Sequence, residues 1–201
     1  MDREERKERK MPEAPAEGEQ VAQRRRKLAE LKASGVNPYP NRFRPSHAIG
    51  ELVERYGPLP GEAFEAEREK EFTVAGRLMA KRLQGKIIFL DLRDGTGKIQ
   101  VFCRANDLPA QAFWLAQRGD LGDFFGIKGG IFKTRSGELS IWARQITLLS
   151  KALRPPPEKW HGLKDVEIRY RQRYLDLIAN PRVRKLFELR SRIIRELRAF
   201  L

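Results

Sequence analysis

The side chains in this sequence best suited to chemistry lie on the outer face of two neighbouring stretches, KIIFLDLR (86–93) and KIQVFCR (98–104). A strand sends successive side chains to opposite faces, so parity assigns each residue to a side. Ile88, Leu90 and Leu92, with Ile99, Val101 and Cys103, make a consistent interior set. Ile87, Phe89, Asp91 and Arg93 are left outside on the first strand, and Lys98, Gln100, Phe102 and Arg104 on the second. Rings set beside amides and cations suit single-stranded nucleic acid: rings stack on bases, amides read base edges and cations meet phosphates. The polar neighbours Asp91 and Arg93 favour that role for Phe89. Phe102 is instead expected to pack beneath a helix supplied by residues 20–57.

Other chemistries find little support. Cys103 is inward by parity and reads as a small buried hydrophobe rather than a nucleophile. As the single cysteine it excludes an internal disulfide, and His47 and His161 stand too far apart to suggest a zinc site. Asp-Gly-Thr-Gly (94–97) precedes a strand rather than a helix, so it reads as a hairpin turn and not a phosphate loop. No Ser/His/Asp grouping, paired-carboxylate site or Walker loop is visible.

Charge points the same way as the strand face. The 201 residues carry a net charge of +14, so polyanions are the natural partners. Residues 1–70 hold 15 Lys/Arg against 14 Asp/Glu, residues 71–150 hold 12 against 7, and residues 151–201 hold 14 against 6. The excess that attracts phosphates therefore lies in the middle and at the end. No apolar run approaches the ~18 residues of a spanning helix, and MDREERKERK lacks the apolar centre of a signal peptide. A cytoplasmic protein without membrane contact or structural metal is expected.

The elements that must position these residues follow from pattern. Residues 1–19 have no apolar period and read as a disordered charged tail. A helical extension spans 20–70: a helix from Gln20 ending at Gly35, a second over 47–56 with Ser46 as N-cap and Gly57 as terminator, and a polar connector over 58–70. Period two then begins, with strands at 72–79, 86–93, 98–104, 124–132 and 138–149. A helix stands between the third and fourth strands, with Asn106 or Asp107 as cap and Pro109 in its first turn. Three strands, a helix and two strands over 71–153 are the layout of a five-stranded OB-fold barrel, with a split sandwich as the competing architecture. Gly126, Gly129 and Gly130 suit the bends that closure requires. Arg-Pro-Pro-Pro (154–157) opens a stiff linker over 154–166, and helices are expected near 165–178 and from 181 to the end. The last helix carries Val183, Leu186, Phe187, Ile193, Ile194, Leu197, Phe200 and Leu201 on one broad face, whose neighbour is expected beyond the sequence.

The stretches VAGRLMAKRLQGKIIFLDLRDGTGKIQVFCR and LGDFFGIKGGIFKTRSGELSI resemble the anticodon-binding domain of class IIb aminoacyl-tRNA synthetases, which serve aspartate, asparagine and lysine. LLSKALRPPPEKWHGLKDVEIRYRQRYLDLI (148–178) is similar to the lysine enzymes of bacteria in particular. The resemblance implies a mainly β fold with α: an OB-fold barrel, a helical extension before it, and the first helices of a class II catalytic domain, truncated, over 167–201. It implies a partner, the anticodon loop of lysine tRNA, and a full-length parent that ligates lysine to tRNA with ATP and Mg²⁺ as a homodimer through its catalytic domain. No cofactor is expected in this chain, which lacks the ATP and lysine motifs and is expected to be inactive alone. Position by position, Phe89 matches a ring that stacks on an anticodon uridine, Gln100 an amide that reads a base edge, and Arg82 an arginine near the same bases. Glu138 matches an acid at the third anticodon position, and Arg77 is expected to support the same surface. A general single-strand-binding OB protein, the equivalent portion of an aspartyl or asparaginyl enzyme, and a dimerisation piece are the alternatives.

Overall fold

A computed structural model describes residues 17–64, 70–157, 163 and 165–201. Its elements run α1 (Glu17–Ala33), α2 (Ile49–Tyr56), a 3-10 turn (Gly61–Phe64), β1 (Phe72–Gln84), β2 (Ile87–Arg93), β3 (Lys98–Arg104), α3 (Ala110–Arg118), β4 (Phe124–Lys133), β5 (Leu139–Ser150), α4 (Val166–Arg171), α5 (Arg173–Ala179) and α6 (Pro181–Phe200). β1 pairs antiparallel with β2 and β4, β2 with β3, and β4 with β5, while β3 runs parallel to β5. The order β1-β2-β3-β5-β4 thus closes on itself as a barrel. Ile88, Leu90, Leu92, Val101 and Cys103 are fully buried inside it, as parity predicts. Full burial of an aliphatic side chain stabilises by roughly 1.5–3 kcal/mol, so this interior set fixes the register of β2 against β3.

Closure depends on close backbone approach in β4. The register between β4 and β5 shifts between Lys128 and Gly129. A Cβ on Gly129 would lie 2.0 Å from the Trp142 carbonyl oxygen. At Gly126 the obstacle is a ring instead: a Cβ there would meet Phe43 at 2.4 Å, so the glycine makes room for the segment between α1 and α2.

Several local expectations are corrected. α1 begins at Glu17 rather than Gln20, and the remainder of the expected tail, 1–16, lies outside the described residues. Ser46 does not cap α2; its hydroxyl accepts from the Thr73 amide at 3.0 Å and ties the chain to β1. The cap comes from the Asp-Gly-Thr-Gly turn 45 residues away: Asp94 accepts from Ile49 N at 2.8 Å, and Gly50 N donates to Thr96 Oγ1 at 2.8 Å. The turn also closes on itself, because Asp94 accepts from Thr96 N and Gly97 N, each at 2.7 Å. The connector is less polar than expected, since Phe64 is buried against Tyr56; residues 65–69 lie outside the description. Pro109 itself sits at the N-cap of α3, and Asp107 is used elsewhere. The helix expected near 165–178 is broken at Gln172 into α4 and α5.

α1 is held to the barrel by a polar cluster that the apolar pattern does not reveal. Arg24 donates to the carbonyls of Leu121 (3.0 Å) and Ala152 (2.9 Å), and Lys27 pairs with Asp120. Lys151, its side chain 1% exposed, donates to Asp120 at 2.6 Å and to Asp123 at 2.8 Å.

Acid is expected to weaken these attachments. Burial works against the charge of Asp94, but hydrogen bonds from Ile49, Gly97 and Thr96 outweigh it and hold its carboxyl below the ordinary aspartate value. Asp120 is likewise disfavoured by burial yet held low by Lys151 and Lys27. A depressed carboxyl contributes stability above its unfolded pKa of about 4 and loses it as pH falls through the folded value. Melting temperature should therefore decline below about pH 4, and Asp94→Ala should flatten part of that decline. The same substitution should cost about 1–2 kcal/mol at neutral pH by uncapping α2. A melting temperature unchanged by Asp94→Ala would show that α2 docks without this turn.

Candidate nucleic-acid interface

The parallel pairing of β3 with β5 sets Gln100 opposite Ser140. Ser140 Oγ donates to Gln100 Oε1 at 3.0 Å, and Gln100 Nε2 donates to Glu138 Oε2 at 3.0 Å. These bonds fix which way the amide faces, with its NH₂ toward the acid. Gln100 lies on the outer face as parity predicts, but it is 3% exposed because Ser140 and Glu138 cover it. Glu138 follows the turn that joins β4 to β5 and is exposed.

Next to the amide lies a run of rings. Phe89 and Phe102 are cross-strand partners with centroids 5.5 Å apart. Phe102 continues to Trp142 at 5.0 Å and to Phe132 at 5.7 Å. Phe102 therefore packs within an aromatic cluster made by four strands' residues, not beneath a helix from 20–57 as expected. Trp142 is oriented by Asp107, which accepts from its Nε1 at 2.9 Å. Asp107 also binds Arg104 through two bonds of 2.7 and 2.8 Å, and the guanidinium carbon stands 5.1 Å from the Trp142 centroid. The hydrogen bonds from Arg104 hold the Asp107 carboxyl below its ordinary value. Such face and edge contacts contribute about 0.5–1.5 kcal/mol each beyond burial and leave a firm platform around Phe89. Phe132, Ser140 and Trp142 were not singled out from the sequence. Parity in β5 holds the signal, since Ile141 and Ala143 are inward and Ser140 and Trp142 must face out.

A bulge in β1 decides where its two arginines go. The pairing with β2 shifts between Leu78 and Ala80. An extra residue in one strand reverses its side-chain parity beyond that point. Leu78 is interior, and Arg82, of the same parity, is carried to the outer face opposite Phe89. There its guanidinium carbon lies 5.7 Å from the Phe89 centroid. Asp91 anchors the edge of the face, pairing with Lys98 at 3.0 Å and with Arg82 at 4.0 Å. Arg77 does not join this group. It lies before the bulge, opposite Arg93, and stacks on Phe124 with its guanidinium carbon 4.4 Å from the ring centroid. The structure thus brings together Phe89, Gln100, Arg82 and Glu138 and sets Arg77 on a separate part of the surface.

Little else offers chemistry. Burial pushes the Cys103 thiol up to about 12, which keeps it protonated and unreactive. Among the described residues there is no group of His, Cys, Asp and Glu that would hold a metal ion, and no helix long and apolar enough to cross a membrane.

Comparison with known proteins agrees with the geometry. Residues 72–149 match the family described as an OB-fold nucleic acid binding domain. A lysine–tRNA ligase of Dehalococcoides mccartyi is 51% identical over 180 residues, which is 90% of this chain and 36% of that protein. The lysine–tRNA ligase of Pelotomaculum thermopropionicum is 47% identical over 178 residues, 89% of this chain and 34% of its own length. That of Bacillus cereus is 46% identical over 183 residues, 91% of this chain and 36% of the relative. The chain therefore spans about a third of the length of the curated relatives it matches.

Proposed function

We propose that this chain, which corresponds along nine-tenths of its length to the N-terminal part of bacterial lysine–tRNA ligases, recognises the anticodon of lysine tRNA for such an enzyme. The observation that carries the reading is the side-by-side placement of one half-buried ring, Phe89, and one oriented amide, Gln100, on adjacent OB-fold strands. In this reading an anticodon uridine stacks on Phe89, with Arg82 beside it. Gln100 and Glu138 read edges of the neighbouring bases. Because Glu138 and Ser140 cover Gln100, binding exchanges the Gln100–Glu138 hydrogen bond for contacts with the base. A uridine-rich anticodon needs no larger site than one stacking ring and a few edge contacts.

The rest of the chain takes its place in the same reading. Residues 20–70 are the helical extension, 71–153 the anticodon domain, 154–166 the linker and 167–201 the beginning of a class II catalytic domain. α6, with Leu186 63% exposed and Ile193 59% exposed, supplies the helix of a homodimer interface. The whole protein ligates lysine to its tRNA with ATP and Mg²⁺.

Competition between lysine tRNA and an unrelated tRNA of equal length tests the proposal. The lysine tRNA should win by tenfold or more at ~0.1 M salt, and both should weaken as salt rises because phosphate contacts release counterions. Equal competition by the two would favour a general single-strand-binding protein. The two sources of affinity separate by mutation: Gln100→Ala should relax anticodon discrimination while leaving the salt dependence unchanged, since it removes edge readout and no charge.

A further inference from the structure

The separation of Arg77 from the aromatic cluster leaves a groove edged by cations that the anticodon reading does not use. Register places Arg77 opposite Arg93, and Arg93 opposite Lys98, so three cations stand in one row across β1, β2 and β3. Neighbouring strands lie about 4.8 Å apart, and like charges directly opposite one another destabilise a sheet. Arg77 is relieved by stacking on Phe124, and Lys98 pairs with Asp91. The Arg93 side chain has neither a hydrogen bond nor an ion pair among the described residues. Across the groove, Leu177 of α5 and Arg184 of α6 form the opposite wall, with Met79, displayed by the β1 bulge, on the barrel side. The space enclosed is about 400 Å³. Of the nearby acids, Asp91 serves Lys98 and Arg82, Glu188 pairs with Arg184 at 2.9 Å, and Asp94 serves α2 and its own turn. Burial and the Arg184 charge lower the pKa of Arg93 by more than the Glu188 charge raises it.

We infer that this groove binds the phosphodiester backbone of the RNA whose bases lie on the Phe89 face, an inference that rests on the anticodon reading above. Continuity favours RNA over an isolated anion. A second hollow of about 420 Å³, lined by Asp91, Arg93, Lys98 and Arg184, extends the groove along β2 and β3. Asp91 is the direct cross-strand partner of Gln100, so the track begins beside the base-reading amide. A strand leaving that amide meets Lys98, Arg93 and Arg77 in turn. Arg93 supplies the contact with no competing partner, and Arg184 closes on the backbone from the other side.

The test compares an anticodon trinucleotide, which fills only the Phe89 face, with the full anticodon stem-loop. Each phosphate contact contributes a salt slope of about 0.7–0.9, equivalent to about five- to eightfold in affinity at ~0.1 M salt. Arg93→Gln should weaken the stem-loop by that factor, lower its salt slope by about one and leave the trinucleotide unaffected. Arg93→Lys should recover most of the loss. Arg184→Gln, on the opposite wall and outside the barrel, should repeat the effect and serves if Arg93→Gln disturbs folding. If both glutamine variants bind the stem-loop as wild type does while Phe89→Ala weakens it, the groove is not a backbone site and the anticodon reading stands. Equal loss for trinucleotide and stem-loop would place Arg93 on the base-reading face and overturn the inference. A stem-loop indifferent to Phe89→Ala would instead overturn the anticodon reading itself.

Discussion

Asp123→Ala is expected to destabilise the fold by about 3–5 kcal/mol, the usual cost of removing one partner from a buried ion pair. Its side chain, 1% exposed, accepts from Lys151 Nζ at 2.8 and 3.0 Å, from Ala152 N at 2.8 Å and from Asp120 N at 2.8 Å. The alanine variant leaves two backbone amides without their acceptor and the buried Lys151 ammonium with Asp120 alone. That loss also reaches α1, because Arg24 and Lys27 attach the helix to the same few residues. Denaturant unfolding followed by circular dichroism measures the effect. Replacing both partners, Asp123→Leu with Lys151→Met, should recover a large part of it, since an apolar pair of similar size removes the stranded charge. A loss under about 1 kcal/mol for Asp123→Ala would show that the cluster is hydrated and that α1 is held by its apolar contacts.

Phe89→Ala is the second large effect, and it falls on binding rather than folding. Removing one base–aromatic stack costs about 1–3 kcal/mol, so an anticodon stem-loop should bind about five- to hundredfold more weakly. The ring is half-buried and touches Phe102 at 5.5 Å between centroids. Its truncation should therefore cost less stability than truncating the fully buried Ile88 or Leu90 on the same strand. Calorimetric titration alongside thermal melts separates the two. Unchanged affinity with a large fall in melting temperature would make Phe89 part of the core.

The barrel was legible because its strands alternate cleanly. Parity alone placed Ile88, Leu90, Leu92, Val101 and Cys103 inside and put Phe89 and Gln100 on one outer face. Parity failed where the backbone is irregular. The bulge after Leu78 lies in a strand that runs on to Gln84, past the expected end at 79, and it brings Arg82 onto the outer face that Arg77 already occupies, opposite Phe89 where Arg77 stands opposite Arg93. No hydrophobic period reports a bulge. Long-range pairing was equally hidden: the cover that Ser140 and Glu138 provide for Gln100 depends on β5 running beside β3. Capping went astray for the same reason. Ser46 has the right chemistry and position for α2, yet Asp94, distant in sequence, supplies the acceptor. The Lys151 cluster escaped because its members are polar residues scattered along the chain, and only the fold makes them neighbours.

The most direct test of anticodon recognition is one titration of the intact chain with two stem-loops. Both share stem and loop length, and they differ only in whether the anticodon carries the uridines of the lysine anticodon or purines in their place. The account predicts a preference of tenfold or more for the uridine stem-loop, a preference that Gln100→Ala relaxes and that persists as salt is raised while both affinities fall. Equal affinity of the wild-type chain for the two stem-loops would contradict it.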